Sequence, residues 1–374
     1  MPLSGTADLP LHSGHVPEWL LDRMRKLASA IVEVIAEEYG PATLLLRLGD
    51  PLWFQSFGCV LGFDWHSSGL TTVVCGVLRD SLTFERHGVA AVGGKGLMAR
   101  RIPKSLSSSG LDEGMVASLE RASRLSAKVD NNALQDGYNI YHHTLFFTEG
   151  GDWTVVQQGL NTSLGYARRY HWIGRSVKTF VEEPHSGISG DRHEERVLNM
   201  VSRHSAEARK ASLDLIAECP ERLQRLVNMV HSHQTTLDPL GDKTLFNTTH
   251  ISMPRKINWK VVRKLYDFRP ASYEELIDFP GLGASTIRAL ALVASLVYGC
   301  QLDWRDPVKY SFAVGGKDGV PHPVSKRRMD EVTNFLAGVL EKVDVGRETR
   351  LQCLRKLHRL SEGTVKLRSC GFTF

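Results

Sequence analysis

The sequence predicts an α+β domain over residues 1–186, an all-α domain over 187–344 and a basic extension over 345–374. Three observations lead there. A β-hairpin pattern at 138–159 stands among segments of helical period. Beyond the loop Glu182-Glu183-Pro184-His185-Ser186-Gly187, only the helical period recurs. Within that second half, a Gly-x-Gly turn at 281–283 joins two helical segments. The chain has 374 residues, enough for two domains. Its 42% hydrophobic and 23% charged residues are the proportions of a soluble globular protein.

Residues 1–15 read as a polar arm. Pro17 suits a first helical turn, and Leu20, Met24, Leu27, Ile31 and Ile35 continue at helical spacing to Gly40. Leu44–Leu46 reads as a short strand. The apolar, aromatic run 50–63 turns polar at Asp64-Trp65-His66-Ser67-Ser68, where Ser67 or Ser68 caps a helix over 70–82. Residues 88–93 read as a strand ending in a Gly93-Gly94-Lys95-Gly96 loop, with a similar Gly-Gly-Lys at 315–317. Such a loop can offer amides and one ammonium to an anion, though it lacks P-loop spacing.

Residues 114–135 are helical. In the hairpin, a Glu149-Gly150-Gly151 turn sets His142 opposite Gln158 and His143 opposite Gln157. His143 and Gln157 then share the face of Leu145, Phe147 and Val155, while His142 falls on the more polar face with Thr144, Thr154 and Gln158. One long helix is expected from 191 to 220 and a second to about 233, then a polar, turn-rich stretch over 234–252. Helices follow at 258–266 and 325–343.

Ser272 and Glu275 form an S-x-x-E capping box. Pro280 ends that helix, and a second runs from Ala284 to Gly299. Residues 272–298 resemble the helix-hairpin-helix DNA-binding motif. That resemblance implies phosphate contacts through Gly281, Leu282, Gly283, Ser285, Thr286 and Arg288, aided by the helix dipole and blind to base sequence.

The net charge of +5 is weak support for a nucleic-acid partner, but the cations are grouped. Arg100, Arg101 and Lys104 form one group; Arg255, Lys256, Lys260, Arg263 and Lys264 precede the hairpin; Lys326, Arg327 and Arg328 follow it. The six cysteines show no paired spacing and suit a reducing compartment. No signal segment or apolar span is present, so a cytoplasmic protein is expected, with no membrane partner.

Reactive side chains gather in the first half. Asp64, His66, Lys95, Asp136, His142, His143 and Gln157 are the candidate catalytic residues, with Asp64, His66 and His143 as candidate ligands for Mg²⁺ or Mn²⁺. Carboxylate and imidazole hold a metal, and lysine steadies a phosphorane charge. Arg168, Arg169 and Tyr170 are candidates for holding unpaired DNA, by guanidinium–phosphate pairing and ring stacking.

The blocks at 53–68, 135–143 (Gln-Asp-Gly-Tyr-Asn-Ile-Tyr-His-His), 155–159 (Val-Val-Gln-Gln-Gly), 167–172 (Ala-Arg-Arg-Tyr-His-Trp) and 306–312 resemble signature blocks of a prokaryotic family named domain of unknown function seven-six-three. The resemblance covers roughly residues 10–340 and implies a shared architecture ending in a helix-hairpin-helix. A narrower one, to helix-hairpin-helix DNA glycosylases, points to Asp303 or Asp306. Ala284 and Ser285 stand where a lyase member has its lysine.

The expected function is therefore a DNA-binding protein of DNA repair or processing, a metal-dependent endonuclease acting on branched, bubble or single-stranded DNA. DNA is the expected partner, with a helicase or other repair protein beside it, and no nucleotide cofactor is called for. Three alternatives stay open: a non-catalytic adaptor tethering a helicase or nuclease, a DNA glycosylase using Asp306, and an RNA-processing role, because a backbone-amide contact does not test for a 2′-OH.

Overall fold

The computed structural model describes residues 18–62, 69–190, 192–237, 252–308, 326–343 and 346–355. Asp64, His66, Gly315–Lys317 and residues 356–374 lie outside them. The N-terminal helices are α1 (Glu18–Tyr39), α2 (Pro41–Leu48), α3 (Pro51–Leu61) and α4 (Gly69–Ser81), with a single turn, α5 (Phe84–His87). The strand expected at Leu44–Leu46 is part of α2. Pro41 starts that helix, and Leu44, Leu45 and Leu48 bury one side of it while Leu46 faces out, a helical and not an alternating pattern. Asp50 caps α3 by accepting from Leu52 N at 2.9 Å, and α3 is buried along its whole length.

Five antiparallel strands form the central sheet in the order β1-β3-β4-β5-β6. They are β1 (Val89–Lys95), β3 (Asn139–Thr148), β4 (Trp153–Asn161), β5 (Tyr166–Ile173) and β6 (Gly187–Gly190). A small ribbon pairs β2 (Leu134–Gln135) with β7 (Leu198–Asn199). Gly93, Gly94 and Lys95 belong to β1 and not to a loop. Gly93 has φ +108, and a Cβ there would lie 2.3 Å from the His143 carbonyl oxygen. Gly93→Ala is expected to cost roughly 2–3 kcal/mol in urea unfolding; a neutral result would show that β1 can draw away from β3.

The register places His142 opposite Gln158 and His143 opposite Gln157, as the turn chemistry predicts. The face judged more polar is nevertheless covered. Thr154 donates to Leu45 O at 2.8 Å, His171 to Leu48 O at 3.0 Å, and Arg169 to Gln55 Oε1 at 2.8 Å. Phe146 and Val156 of that face join the apolar cluster of α1–α4. Helices α2 and α3 thus hold several of its polar side chains, while His142 Nδ1 and His171 Nε2 are buried without a hydrogen-bond partner among the described residues.

The opposite face, with Leu145, Phe147, Val155 and Trp172, packs on a second helical layer. This contains α7 (Ile102–Ser107), reached through the short α6 (Leu97–Arg100), then α8 (Glu113–Lys128), α9 (Ala206–Ala217), α10 (Pro220–Leu237), α11 (Trp259–Phe268), α12 (Tyr273–Asp278) and α13 (Ala284–Tyr298). The long helix expected over 191–220 is only α9; the chain before it carries β7 and a 3₁₀ turn at Arg203–Ser205. The stretch over 234–237, expected to be turn-rich, continues α10. The last described helix, α14 (Lys326–Lys342), crosses back to pack Val332, Leu336, Val339 and Leu340 into the α1–α4 cluster.

The result is a mixed α/β arrangement with an antiparallel sheet between two helical layers. The boundary expected at 186/187 falls between β5 and β6 of one sheet, and a single apolar cluster runs from Ile102 to Ala294. No described helix is long and apolar enough to cross a membrane.

Candidate functional site

Two buried polar networks lie on the sheet face toward α8 and α13. The first starts where α8 runs into one turn of π-helix, Val129–Ala133, which sets Asp130 against the sheet. Asp130 is fully buried. Its Oδ2 accepts from Gln157 Nε2 at 2.6 Å and Trp172 Nε1 at 2.9 Å, and its Oδ1 lies 2.5 Å from His185 Nε2. Gln157 Oε1 lies 2.8 Å from His143 Nδ1, and His143 Nε2 lies 2.8 Å from Ser123 Oγ. One proton arrangement satisfies the chain: Ser123 donates to His143, His143 to Gln157, and Gln157 to Asp130. Reversing the Gln157 amide would set its oxygen against a carboxylate. Burial lowers the His143 imidazolium below its ordinary value, so the ring is neutral, while Gln157 and Asp130 work the other way.

The second network is ionic. Arg168 donates through Nη1 to Asp136 Oδ2 at 2.8 Å, and through Nη1 and Nη2 to both oxygens of Asp306 at 3.1 and 2.7 Å. Tyr170 Oη donates to Asp136 Oδ2 at 2.6 Å, and the backbone amides of Glu194 and Val308 donate to Asp306. The Arg168 side chain has 0% exposure and Asp136 has 1%. Burial raises the Asp136 carboxyl, against the pull of Arg168 and Tyr170. Burial also opposes the Arg168 charge, yet Asp136 and Asp306 carry it above the ordinary guanidinium value. With donors on both oxygens, Asp136 and Arg168 stand as an ion pair.

The expected site residues separate accordingly. His143 and Gln157 are brought together, as are Asp136, Arg168 and Tyr170, but all five are interior. His142 lies on the other face, Nε2 3.0 Å from Thr144 Oγ1, and burial pushes it down to about 3. Lys95 pairs with His142 in the register yet its side chain is exposed, 6.0 Å from the Tyr141 ring. Arg168, Arg169 and Tyr170 therefore do not present a surface for unpaired DNA. Their alternation in β5 carries burial on both faces, because helices α3 and α4 cover Arg169 while the segments around Asp136, Arg192 and Asp306 cover Arg168 and Tyr170. Both ring nitrogens of His143 are engaged, so it does not fit a metal-ligand role. Among the described residues no group of three or more His, Cys, Asp and Glu converges on a metal position.

A cleft of about 320 Å³ opens beside these networks, between the segment preceding β6, the chain after β7, and residues 303–307. His185 from the first network and Asp306 from the second both line it, with Asn199, Ser202, His204, Asp303 and Arg305. Asp303 accepts from Ser202 Oγ at 2.6 Å and Arg305 Nε at 3.0 Å. Burial raises its carboxyl, but those donors bring it below the ordinary value overall. The candidate catalytic set omits His185, which stands in a loop that reads as a domain boundary, while Asp130 is among the reactive side chains of the first half that the sequence offers.

The α12–α13 turn has the expected local chemistry. Ser272 Oγ accepts from Glu275 N at 3.2 Å, and Glu275 Oε2 accepts from Ala271 N at 2.8 Å. Gly281 has φ +83, and no side chain caps α13 at Gly283. Gly281 and Ser285 are exposed, Gly283 is half-buried, and Leu282 and Thr286 point into the core. Beneath the turn, Lys128 Nζ donates to the carbonyls of Asp278 and Phe279. Gln135 donates to Ala284 O at 2.8 Å and accepts from Arg288, whose guanidinium lies 5.8 Å from the Trp304 ring. Trp304 sits between Asp303 and Arg305 of the cleft, so turn and cleft are neighbours.

No curated protein and no solved structure matches the chain. One family model does match, and its span takes in both networks, the cleft and the α12–α13 turn while ending before α14. With residues 5–324 of its 374 so matched, the chain belongs to the family described as Protein of unknown function (DUF763).

Proposed function

We propose that the protein is a DNA-binding protein of DNA repair or processing that grips the phosphodiester backbone through a helix-hairpin-helix turn between α12 and α13. The observation that carries this reading is the exposed amino end of α13, uncapped by any side chain, beside a basic helix face. The free amides of a helix's first turn and its dipole favour an anion there. Gly281 permits the left-handed backbone of the turn. Helix α11 packs against it: Phe268 and Phe279 rings lie 5.2 Å apart, and a Cβ on Gly281 would lie 3.0 Å from Val261. Its exposed Lys260, Arg263 and Lys264 share one helical face and add charge contacts along the strand.

Fluorescence anisotropy with labelled duplexes, forks, flaps, bubbles and single strands tests this. Gly281→Val is expected to weaken binding about tenfold, equally for every base sequence, because phosphates carry no sequence information. A loss confined to some sequences would contradict a backbone-reading turn. The paired change Lys260→Glu, Arg263→Glu is expected to flatten the salt dependence by roughly two phosphate contacts.

A second reading, the structure-specific endonuclease, is favoured by His185, which lines the cleft beside the turn and is backed by the buried Asp130, a geometry suited to proton abstraction. The described residues do not supply a Mg²⁺ or Mn²⁺ site, so no metal step is derived. Incubating the same substrates with Mg²⁺, Mn²⁺ or EDTA separates the readings. Cutting that stops in His185→Phe supports hydrolysis at the cleft. Tight binding without cutting under any condition, with a co-purifying helicase or nuclease, selects the adaptor. Asp306 has both oxygens held by Arg168 and two backbone amides, which removes the support for a glycosylase built on it.

A further inference from the structure

The geometry points to the cleft as a receptor for one unpaired nucleobase, an inference that rests on the DNA-binding reading and names the part of DNA that the cleft takes. Its volume, about 320 Å³, lies at the lower end of small-ligand pockets and admits a group the size of a single nucleotide. Its charges are already paired: Glu183 with Arg203 at 3.0 Å, Asp303 with Arg305 at 3.0 Å, and Asp306 with Arg168 at 2.7 Å. Neither an anion nor a cation finds an unmatched partner among them, whereas a neutral, planar ligand does not need one. Ile188, Val201 and Pro307 provide apolar wall for a ring.

His185 supplies the polar recognition. Asp130, acceptor-only as a carboxylate, holds Nε2–H at 2.5 Å, which leaves Nδ1 as the acceptor nitrogen. Among the described residues Nδ1 has no hydrogen-bond partner. The ring is fixed edge-on against Trp172 at 4.6 Å, so the acceptor is preoriented. Every nucleobase bears an N–H donor on its pairing edge, and that donor is free only when the base is unpaired. The path from the α13 amino end through Arg288 and Trp304 to Asp303 and Arg305 sets the cleft beside the strand that the turn holds. A base drawn out of the stack from that strand would enter it.

The test uses the full chain and 30-mer duplexes, one fully paired and one with a single unpaired base, read by anisotropy. Wild-type protein is expected to bind the second about tenfold more tightly. Pro307→Trp, which fills the cleft and leaves the Asp130–His185 pair intact, should abolish that preference while paired-duplex affinity stays unchanged. His185→Phe, which keeps the ring packing but removes both nitrogens, should do the same. A preference that survives Pro307→Trp in a folded protein overturns the cleft, as does equal wild-type affinity for the two duplexes. If the wild type binds neither duplex, the DNA-binding reading fails by itself. Saturation-transfer NMR with free adenosine, guanosine and thymidine then decides the cleft. A transfer signal that disappears in Pro307→Trp upholds it, and the absence of signal from all three nucleosides overturns it.

Discussion

Acidification below pH 6.5 is expected to unfold the protein in a steep transition that takes up several protons. His142, His143 and His171 are buried in the sheet, and burial is the largest cause lowering each. His142 is pushed down to about 3, and His171 lies well below its ordinary value with Arg169 adding to the effect. Each ring is neutral when folded and takes a proton near pH 6.5 once unfolded. The stability tied to neutral rings is therefore complete above pH 6.5 and falls as the pH drops, until the folded rings themselves protonate. The slope is roughly 1.4 kcal/mol per pH unit for each ring that stays neutral in the folded state. That makes about 3 kcal/mol per unit from His142 and His171, which are displaced furthest, with His143 adding to it until it protonates. A domain stable by roughly 5–15 kcal/mol loses most of that within a few pH units. Asp136 works in the other sense, since its raised carboxyl gains a proton in the folded state first, but that is one group against three. Urea unfolding at pH 7, 6, 5 and 4 measures the slope, and His142→Gln should reduce it by about one proton. Stability that stays level from pH 7 to 5 would refute this account.

Arg168→Leu is expected to cost roughly 3–5 kcal/mol, the range for breaking a buried ion pair from one side. The change leaves Asp136 and Asp306 buried near one another with no cation between them. Tyr170 and three backbone amides still donate to them but cannot neutralise two charges. Adding Asp306→Leu to Arg168→Leu should recover part of the loss, because one uncompensated charge goes with it. Equilibrium unfolding of the two single variants and the double variant measures this coupling. A loss below about 1 kcal/mol in Arg168→Leu would mean that water reaches the pair and the network is not dry.

Local chemistry was legible in the sequence where it is settled locally. The Glu149-Gly-Gly turn set the hairpin register, and Ser272 with Glu275 marked the start of α12. What could not be read was decided far along the chain. Arg169 looks like a surface cation in a basic-aromatic run, yet its partner Gln55 lies in α3. A strand covered on one face alternates in polarity; one covered on both keeps its polar residues only by pairing them, as His171 does with Leu48 O. The site shows the same limit. His143 and Gln157 were placed together from register alone, but the carboxylate that orders them comes from a π-turn and the histidine beyond it from a loop.

The return of α14 onto α1 and α3 bears on how the chain folds as it is made. Val332, Leu336, Val339 and Leu340 complete an apolar layer whose other members are mostly synthesised within the first hundred residues. Until residues 326–343 leave the ribosome, that layer has an open apolar side, and its closure joins segments separated by some of the longest spans in the chain. The sheet and its second helical layer can assemble from residues 89–298, so they are expected to form first and to serve as the surface on which both outer helical segments dock. In pulse-labelling hydrogen exchange during refolding, amides of β3–β5 should gain protection before those of α1 and α14, with α1 and α14 gaining it together.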